Sequence, residues 1–208
     1  MQGIQVWRAS LERPAGDVAA LFKLLDAEER TRAARFINER DRRRFVVARG
    51  TLRVLLSHYT GTAPERVRLC VMKGGKPALA DRHGLHFNVS HCGELALLAF
   101  ADCEVGIDVE RVAPHREMDA VAAQFFSCDE AAAFRRFSGE TQARFFCRTW
   151  VRKEAYLKAT GEGFAINPAS SSLDERYSVH DLPEMENHLA AVAVASIIGS
   201  DQIQIRNL

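Results

Sequence analysis

Three short strand-like stretches, the first alternating apolar and polar residues, are separated by short turns in the middle of the chain. Leu85, Phe87 and Val89 alternate with His86, Asn88 and Ser90, and Cys92-Gly93-Glu94 turns into Leu95–Phe100. Ala101–Glu104 turns again before Val105–Val109. A period of two with connections this short predicts a compact antiparallel meander. Before it, Phe45, Ala48, Leu52, Leu55, Leu56 and Tyr59 recur at helical spacing, Gly61 is a stop, and Arg66–Met72 alternates like a strand toward a turn at Gly74-Gly75. After it, helices are expected over 117–136, with a break at Ser127, and over 141–160, ending at Gly161-Glu-Gly163. Tyr177–Val179 and Leu189–Ile198 read as a final hairpin. Helices and strands therefore fall into two groups, which predicts an α+β protein of two small halves.

Composition excludes several classes. The 208 residues are 47% hydrophobic and 26% charged, which suits a globular chain with a real core. No run approaches the ~18–20 apolar residues of a membrane span. The N-terminus lacks the basic-then-apolar order of a secretory signal, so a cytoplasmic protein is expected. Five cysteines, Cys70, Cys92, Cys103, Cys128 and Cys147, form no CxxC pair and read as reduced packing residues.

The chemistry is carried by charges placed where apolar residues are expected. In Gly106-Ile-Asp-Val-Glu110, Asp108 and Glu110 share one face of a strand, ~6.6–6.8 Å apart along the backbone. Two carboxylates so placed can converge on a hard cation such as magnesium, or be solvent-facing acids on an edge strand. In Trp150-Val-Arg-Lys-Glu-Ala-Tyr-Leu-Lys158, Lys153 falls inside the stripe of Phe146, Trp150 and Leu157, with Glu154 at its edge. Lys158 follows Glu154 by four residues, which by itself fits an ordinary helix ion pair. Arg49 falls inside the Phe45–Leu52–Leu56 stripe, a position that asks for a buried anion such as phosphate. The surrounding arginines of segment 30–53 alternate with acids and read as a solvated face. Lys76 sits in the Gly74-Gly75-Lys76-Pro77 turn, and Ser90-His91 ends a strand.

Taken together, Gly75-Lys-Pro77, Phe87-Asn-Val-Ser-His91, Gly106-Ile-Asp-Val-Glu110, Phe125-Phe-Ser127 and the Trp150–Lys158 helix resemble the Sfp-type 4′-phosphopantetheinyl transferases. The resemblance covers about Glu28 to Gly163. It implies two pseudo-symmetric α/β halves, 1–104 and 105–208, each a mostly antiparallel sheet packed by a long helix, in a monomer. It implies magnesium, or manganese in its place, on Asp108, Glu110 and Glu154. Lys158 would contact the pyrophosphate, with Lys153 at the phosphates, and Asp108, Glu154 and Lys158 would carry catalysis. Coenzyme A would be held by Arg49, Lys76, Pro77, Ser90 and His91, with Arg32 and Arg35 nearby. The acceptor implied is a serine of an apo acyl or peptidyl carrier protein, with Glu154 or a metal-bound water as base. Two other readings use the same residues. A magnesium-dependent nucleotide phosphohydrolase would need no protein acceptor. A nucleic-acid binder would use the 30–53 arginines, against which stand the interleaved acids and a net charge of +1.

Overall fold

The computed structural model describes residues 3–72, 74–81, 84–114, 117–161 and 174–208. Strands are β1 (Ile4–Ser10), β2 (Leu69–Val71), β3 (Pro77–Leu79), β4 (His86–Cys92), β5 (Leu95–Ala101), β6 (Val105–Arg111), β7 (Ser178–Asp181), β8 (His188–Val194) and β9 (Ile203–Asn207). Helices are α1 (Ala15–Leu24), α2 (Ala27–Ala34), α3 (Glu39–Thr60), α4 (Met118–Phe125), α5 (Cys128–Phe134) and α6 (Gly139–Thr160). The α+β expectation holds. Among the described residues no helix is long and apolar enough to cross a membrane.

One sheet has the order β4-β5-β1-β9, a second β6-β8-β7, and β2-β3 form a separate hairpin. The expected three-stranded meander is corrected here. β4 and β5 form its first hairpin, but the other edge of β5 is taken by β1 over six register pairs, Gln5↔Phe100 through Ser10↔Leu95. The chain at Ala101–Glu104 therefore crosses over, and β6 pairs with β8 instead. The expected final hairpin is present as β7-β8.

Alternation sorts the layers. On β5, Ala96, Leu98 and Phe100 pack against Leu52, Leu55 and Leu56 of α3, while Leu97 and Ala99 face the second sheet. There they meet Ile107 and Val109 of β6 and Ala190, Val192 and Val194 of β8. Ala191 and Ala193, on the far face of β8, pack under Ala143, Phe146, Val151 and Ala155 of α6. The order is α3, sheet, sheet, α6. The two long helices are built alike: each has 22 residues and ends at a glycine with positive φ. Gly61 N–H donates to Ser57 and Gly161 N–H to Leu157, an αL C-cap that a side chain would strain. Gly163, read as part of that second stop, lies outside the described residues.

The expected break at Ser127 is a capping box. The Ser127 hydroxyl accepts from Glu130 N–H, and the Glu130 carboxylate accepts from Ser127 N–H at 2.7 Å. The thiols are all free, but Cys70 and Cys128 are exposed, so packing accounts best for Cys147.

Candidate active site

The site lies where β4, an edge of the first sheet, meets β6, an edge of the second. β6 is hydrogen-bonded to β8 on one side only, so its outer N–H groups need other partners. Asn88 supplies one: its Oδ1 accepts from Ile107 N–H at 2.9 Å, fully buried. Ser90, two residues on and on the same face, donates from Oγ to Asp108 Oδ1 at 2.8 Å. Asn88 was not singled out in the sequence. Its place in the Phe87–His91 motif, two residues before Ser90 on one face, was the available signal.

The second wall is α6, brought to backbone contact with β6 by Gly106. A Cβ on Gly106 would lie 2.0 Å from the Ala155 carbonyl oxygen and 2.3 Å from Ala159 N. That approach delivers Lys158 to the strand. Its Nζ donates to Asp108 Oδ1 at 2.5 Å and to Ser90 Oγ at 3.3 Å. Glu154, one turn earlier, is 4.0 Å from the same ammonium. The pairing of Glu154 with Lys158 as a simple wet-face ion pair is thus secondary to a contact between elements.

Asp108 is 3% exposed, so the solvent-facing alternative for this acid does not apply. Its Oδ2 is buried with no hydrogen-bond partner among the described residues. Burial raises the Glu154 carboxyl above the usual range; Lys158 opposes this, while the charges of Asp108 and Glu110 add to it. Burial, with the charge of Glu110 adding to it, raises the Cys92 thiol, and the Glu110 backbone carbonyl accepts from Cys147 Sγ at 3.6 Å. Asp108, Glu110 and Glu154 offer only oxygen donors, the chemistry a hard cation takes, and one of them has an orphaned buried oxygen. In the present arrangement Lys158 supplies that positive charge. Among the described residues no three His, Cys, Asp or Glu side chains are close enough together to hold a metal as they stand.

His91 follows Ser90 at the surface. The protein around its ring, then the charge of Lys158, lower its pKa, which favours a neutral imidazole at neutral pH. Lys153 is mostly buried and ion-paired to Glu130 at 2.9 Å. Lys76 reaches inward: its Nζ donates to the carbonyls of Val105 at 2.9 Å and Ala159 at 3.1 Å. Burial depresses its pKa to about 8, with Glu104 opposing.

Arg49, Arg32, Arg35 and Pro77 come together in a cleft of about 820 Å³ between α2, α3 and the β2-β3 hairpin. The expectation of a buried anion beside Arg49 needs refinement. Its carboxylate neighbour within the chain is Glu29, at 3.4 Å. The fully buried cation is Arg53, one helical turn on, which donates to Glu29, Asp26 and the carbonyls of Pro64 and Val67. The interleaved acids of the segment suggest a solvated face for Arg53, but Asp26 and Glu29, the N-cap and first turn of α2, pack over it.

The family model for the 4′-phosphopantetheinyl transferase superfamily matches residues 104–195. The model for the N-terminal region of 4′-phosphopantetheinyl transferases matches residues 7–103. The chain belongs to this superfamily of transferases. It is 37% identical over 207 residues to the 4′-phosphopantetheinyl transferase HetI of Nostoc sp., covering 92% of this chain and 87% of that protein. It is 25% identical to the 4′-phosphopantetheinyl transferase Sfp of Bacillus subtilis, over 78% of this chain and 73% of Sfp. It is 38% identical to AcpT of Escherichia coli, over about half of each chain.

Proposed function

We propose that the chain transfers the 4′-phosphopantetheine arm of coenzyme A to a serine of an apo carrier protein, releasing 3′,5′-ADP in a magnesium-dependent reaction. The observation that carries this reading is the Ser90–Asp108–Lys158 cluster, with the orphaned Asp108 oxygen beside Glu154. Family membership supplies the phosphopantetheine and its acceptor.

Asp108, Glu110 and Glu154 would hold magnesium, which when bound neutralises pyrophosphate charge and polarises the reacting phosphorus. The protein's own part is positioning and charge. The serine oxygen forms a bond to the β-phosphorus while the bond from that phosphorus to the leaving 3′,5′-ADP oxygen breaks. Glu154, beside Lys158, is the carboxylate this chain offers as acceptor of the serine proton. Lys158, anchored on Asp108, faces the departing phosphate and neutralises it. Ser90 fixes the Asp108 carboxylate, and a neutral His91 presents a hydrogen-bonding ring rather than a second charge. The cleft with Arg32, Arg35 and Arg49 suits the nucleotide phosphate, and Pro77 borders it.

Incubation with apo carrier proteins, coenzyme A and magnesium, followed by intact mass measurement, tests the reading. One phosphopantetheine gained on the serine is expected, with loss of transfer in Glu154→Gln and Asp108→Ala proteins that remain folded. Phosphate release without a modified carrier would indicate the phosphohydrolase instead.

A further inference from the structure

Lys76 joins two regions of the molecule. Its backbone closes the β2-β3 turn, where its carbonyl accepts from Met72 N–H at 2.8 Å. Cys70, Val71 and Pro77 of that hairpin wall the arginine cleft, and Lys76 is not part of the wall. The side chain runs inward instead, to Val105, the first residue of β6, and to Ala159, in the last turn of α6. Nζ donates to both carbonyls, at 2.9 and 3.1 Å.

Both carbonyls stand where no other element supplies a donor by regular pairing. The last carbonyls of a helix have no partner within it, and a cation there also meets the negative end of the helix dipole. On β6, the Glu104 carbonyl accepts from Ala195 N–H on the β8 side. Strand alternation therefore turns the Val105 carbonyl to the open edge, the edge on which Asn88 accepts from Ile107 N–H. Lys76 thus closes the seam between β6 and α6 at one end. Gly106, beside Val105, is the residue that lets the two elements touch, and a Cβ there would lie 2.3 Å from Ala159 N. Ala159 directly follows Lys158, and Asp108 lies further along the same strand. The contact of Lys158 with Asp108 is made across this seam.

We propose that Lys76 is a positioning residue: its side chain staples the hairpin of the nucleotide cleft to the β6–α6 seam, so that a nucleotide seated against the hairpin holds Lys158 over Asp108. This differs from the ligand contact expected of Lys76, and it rests on the transfer reading above. The two roles predict opposite kinetics. A ligand contact would weaken coenzyme A binding when removed; a staple would slow transfer while binding is kept.

The test compares Lys76→Met, which removes the donor, with Lys76→Arg, which can again serve two carbonyls. Lys76→Met should lower kcat at least tenfold, leave the calorimetric Kd for coenzyme A within about threefold, and be largely rescued by Lys76→Arg. Lys76→Gln, a shorter donor, stands in should Lys76→Met fail to fold. Amide hydrogen exchange gives a readout that needs neither carrier nor metal, with 3′,5′-ADP as the probe. In the unmodified protein the nucleotide should slow exchange in the hairpin and also along residues 105–108 and 155–159. In Lys76→Met only the hairpin should be slowed. Weaker coenzyme A binding with kcat unchanged, seam protection that persists in Lys76→Met, or no seam protection in the unmodified protein would each overturn the proposal. Protection that depends on Lys76 in a protein that never modifies a carrier would keep the staple and reject the reaction. Normal kcat in Lys76→Met would do the reverse.

Discussion

Lys158 donates to Asp108 at 2.5 Å, across the contact between α6 and β6, although Glu154 lies one turn away on its own helix at 4.0 Å. The choice follows from burial. Asp108 is almost wholly removed from water, so its charge gains most from an adjacent cation. A solvent-exposed helix pair would contribute only ~0.2–0.5 kcal/mol.

Replacing Lys158 with Met should therefore destabilise the fold by about 3 kcal/mol, because a buried carboxylate is left without its counter-charge. Asp108→Asn should relieve that loss, so the double variant should lie ~1–3 kcal/mol above the sum of the singles. Urea unfolding of the four proteins measures this coupling. Strict additivity would mean that the contact does not couple the two residues.

Gly106→Ala tests the close approach that delivers Lys158. The added methyl meets the Ala155 carbonyl at 2.0 Å, a backbone atom with no freedom to rotate away. A loss of at least ~1–3 kcal/mol is expected, with transfer falling further than stability alone requires. Unchanged melting temperature and turnover would show that α6 sits farther from the strand.

Lys76 should impose a distinctive pH dependence. Its folded pKa of about 8 lies below the ordinary 10.5, so burial opposes the charged form. Below about pH 8 both folded and unfolded chains carry the proton, and stability is flat in pH. As pH rises from there, the folded protein gives up its proton first and the unfolded chain holds the extra one, so stability climbs until about pH 10.5. Relative to Lys76→Met, the unmodified protein should gain on the order of 1–2 kcal/mol between about pH 7.5 and 9.5. Denaturant midpoints of the two proteins across that interval give the answer; parallel curves would contradict the buried ammonium.

Arg53 and Arg49 should separate stability from binding. Arg53 is 0% exposed and neutralises two acids, so Arg53→Met should cost ~3–5 kcal/mol. Arg49→Met should cost much less in stability and weaken coenzyme A binding instead. Thermal unfolding alongside calorimetric titration with coenzyme A distinguishes them, and equal destabilisation by both would refute the division.

What the sequence disclosed follows from the range of the interactions involved. Asp108, Glu110, Lys153 and Glu154 stand in local patterns, where strand or helix spacing puts a charge on or beside a face that should be apolar, and Lys158 is tied to them by its four-residue spacing from Glu154. The break at Ser127 was legible for the same reason, its cap lying within three residues. By contrast, β1 and β9 pair in parallel, Ile4 with Ile203, and neither segment alternates strongly enough to announce a partner at the other end of the chain. Lys76 bonds a carbonyl 83 positions away, so its local motif suggested a ligand contact and said nothing of this anchor. Arg49 stood out over Arg53 because a helical stripe shows which face is crowded but not which neighbouring helix brings the acids.

The outer edge of β6 has one more consequence. A strand with open N–H groups invites addition of a foreign strand, which natural sheets prevent with covers, charges or bulges. Here the guard is the side-chain row Asn88 and Ser90 laid along that edge, with Asp108 as one of its partners. The side chains of the candidate site therefore also cover the open edge of the second sheet. A folding intermediate in which β6-β8-β7 forms before β4 is seated would expose this edge. Substitutions at Asn88 should accordingly appear first as lower soluble yield, before any change in turnover is measured.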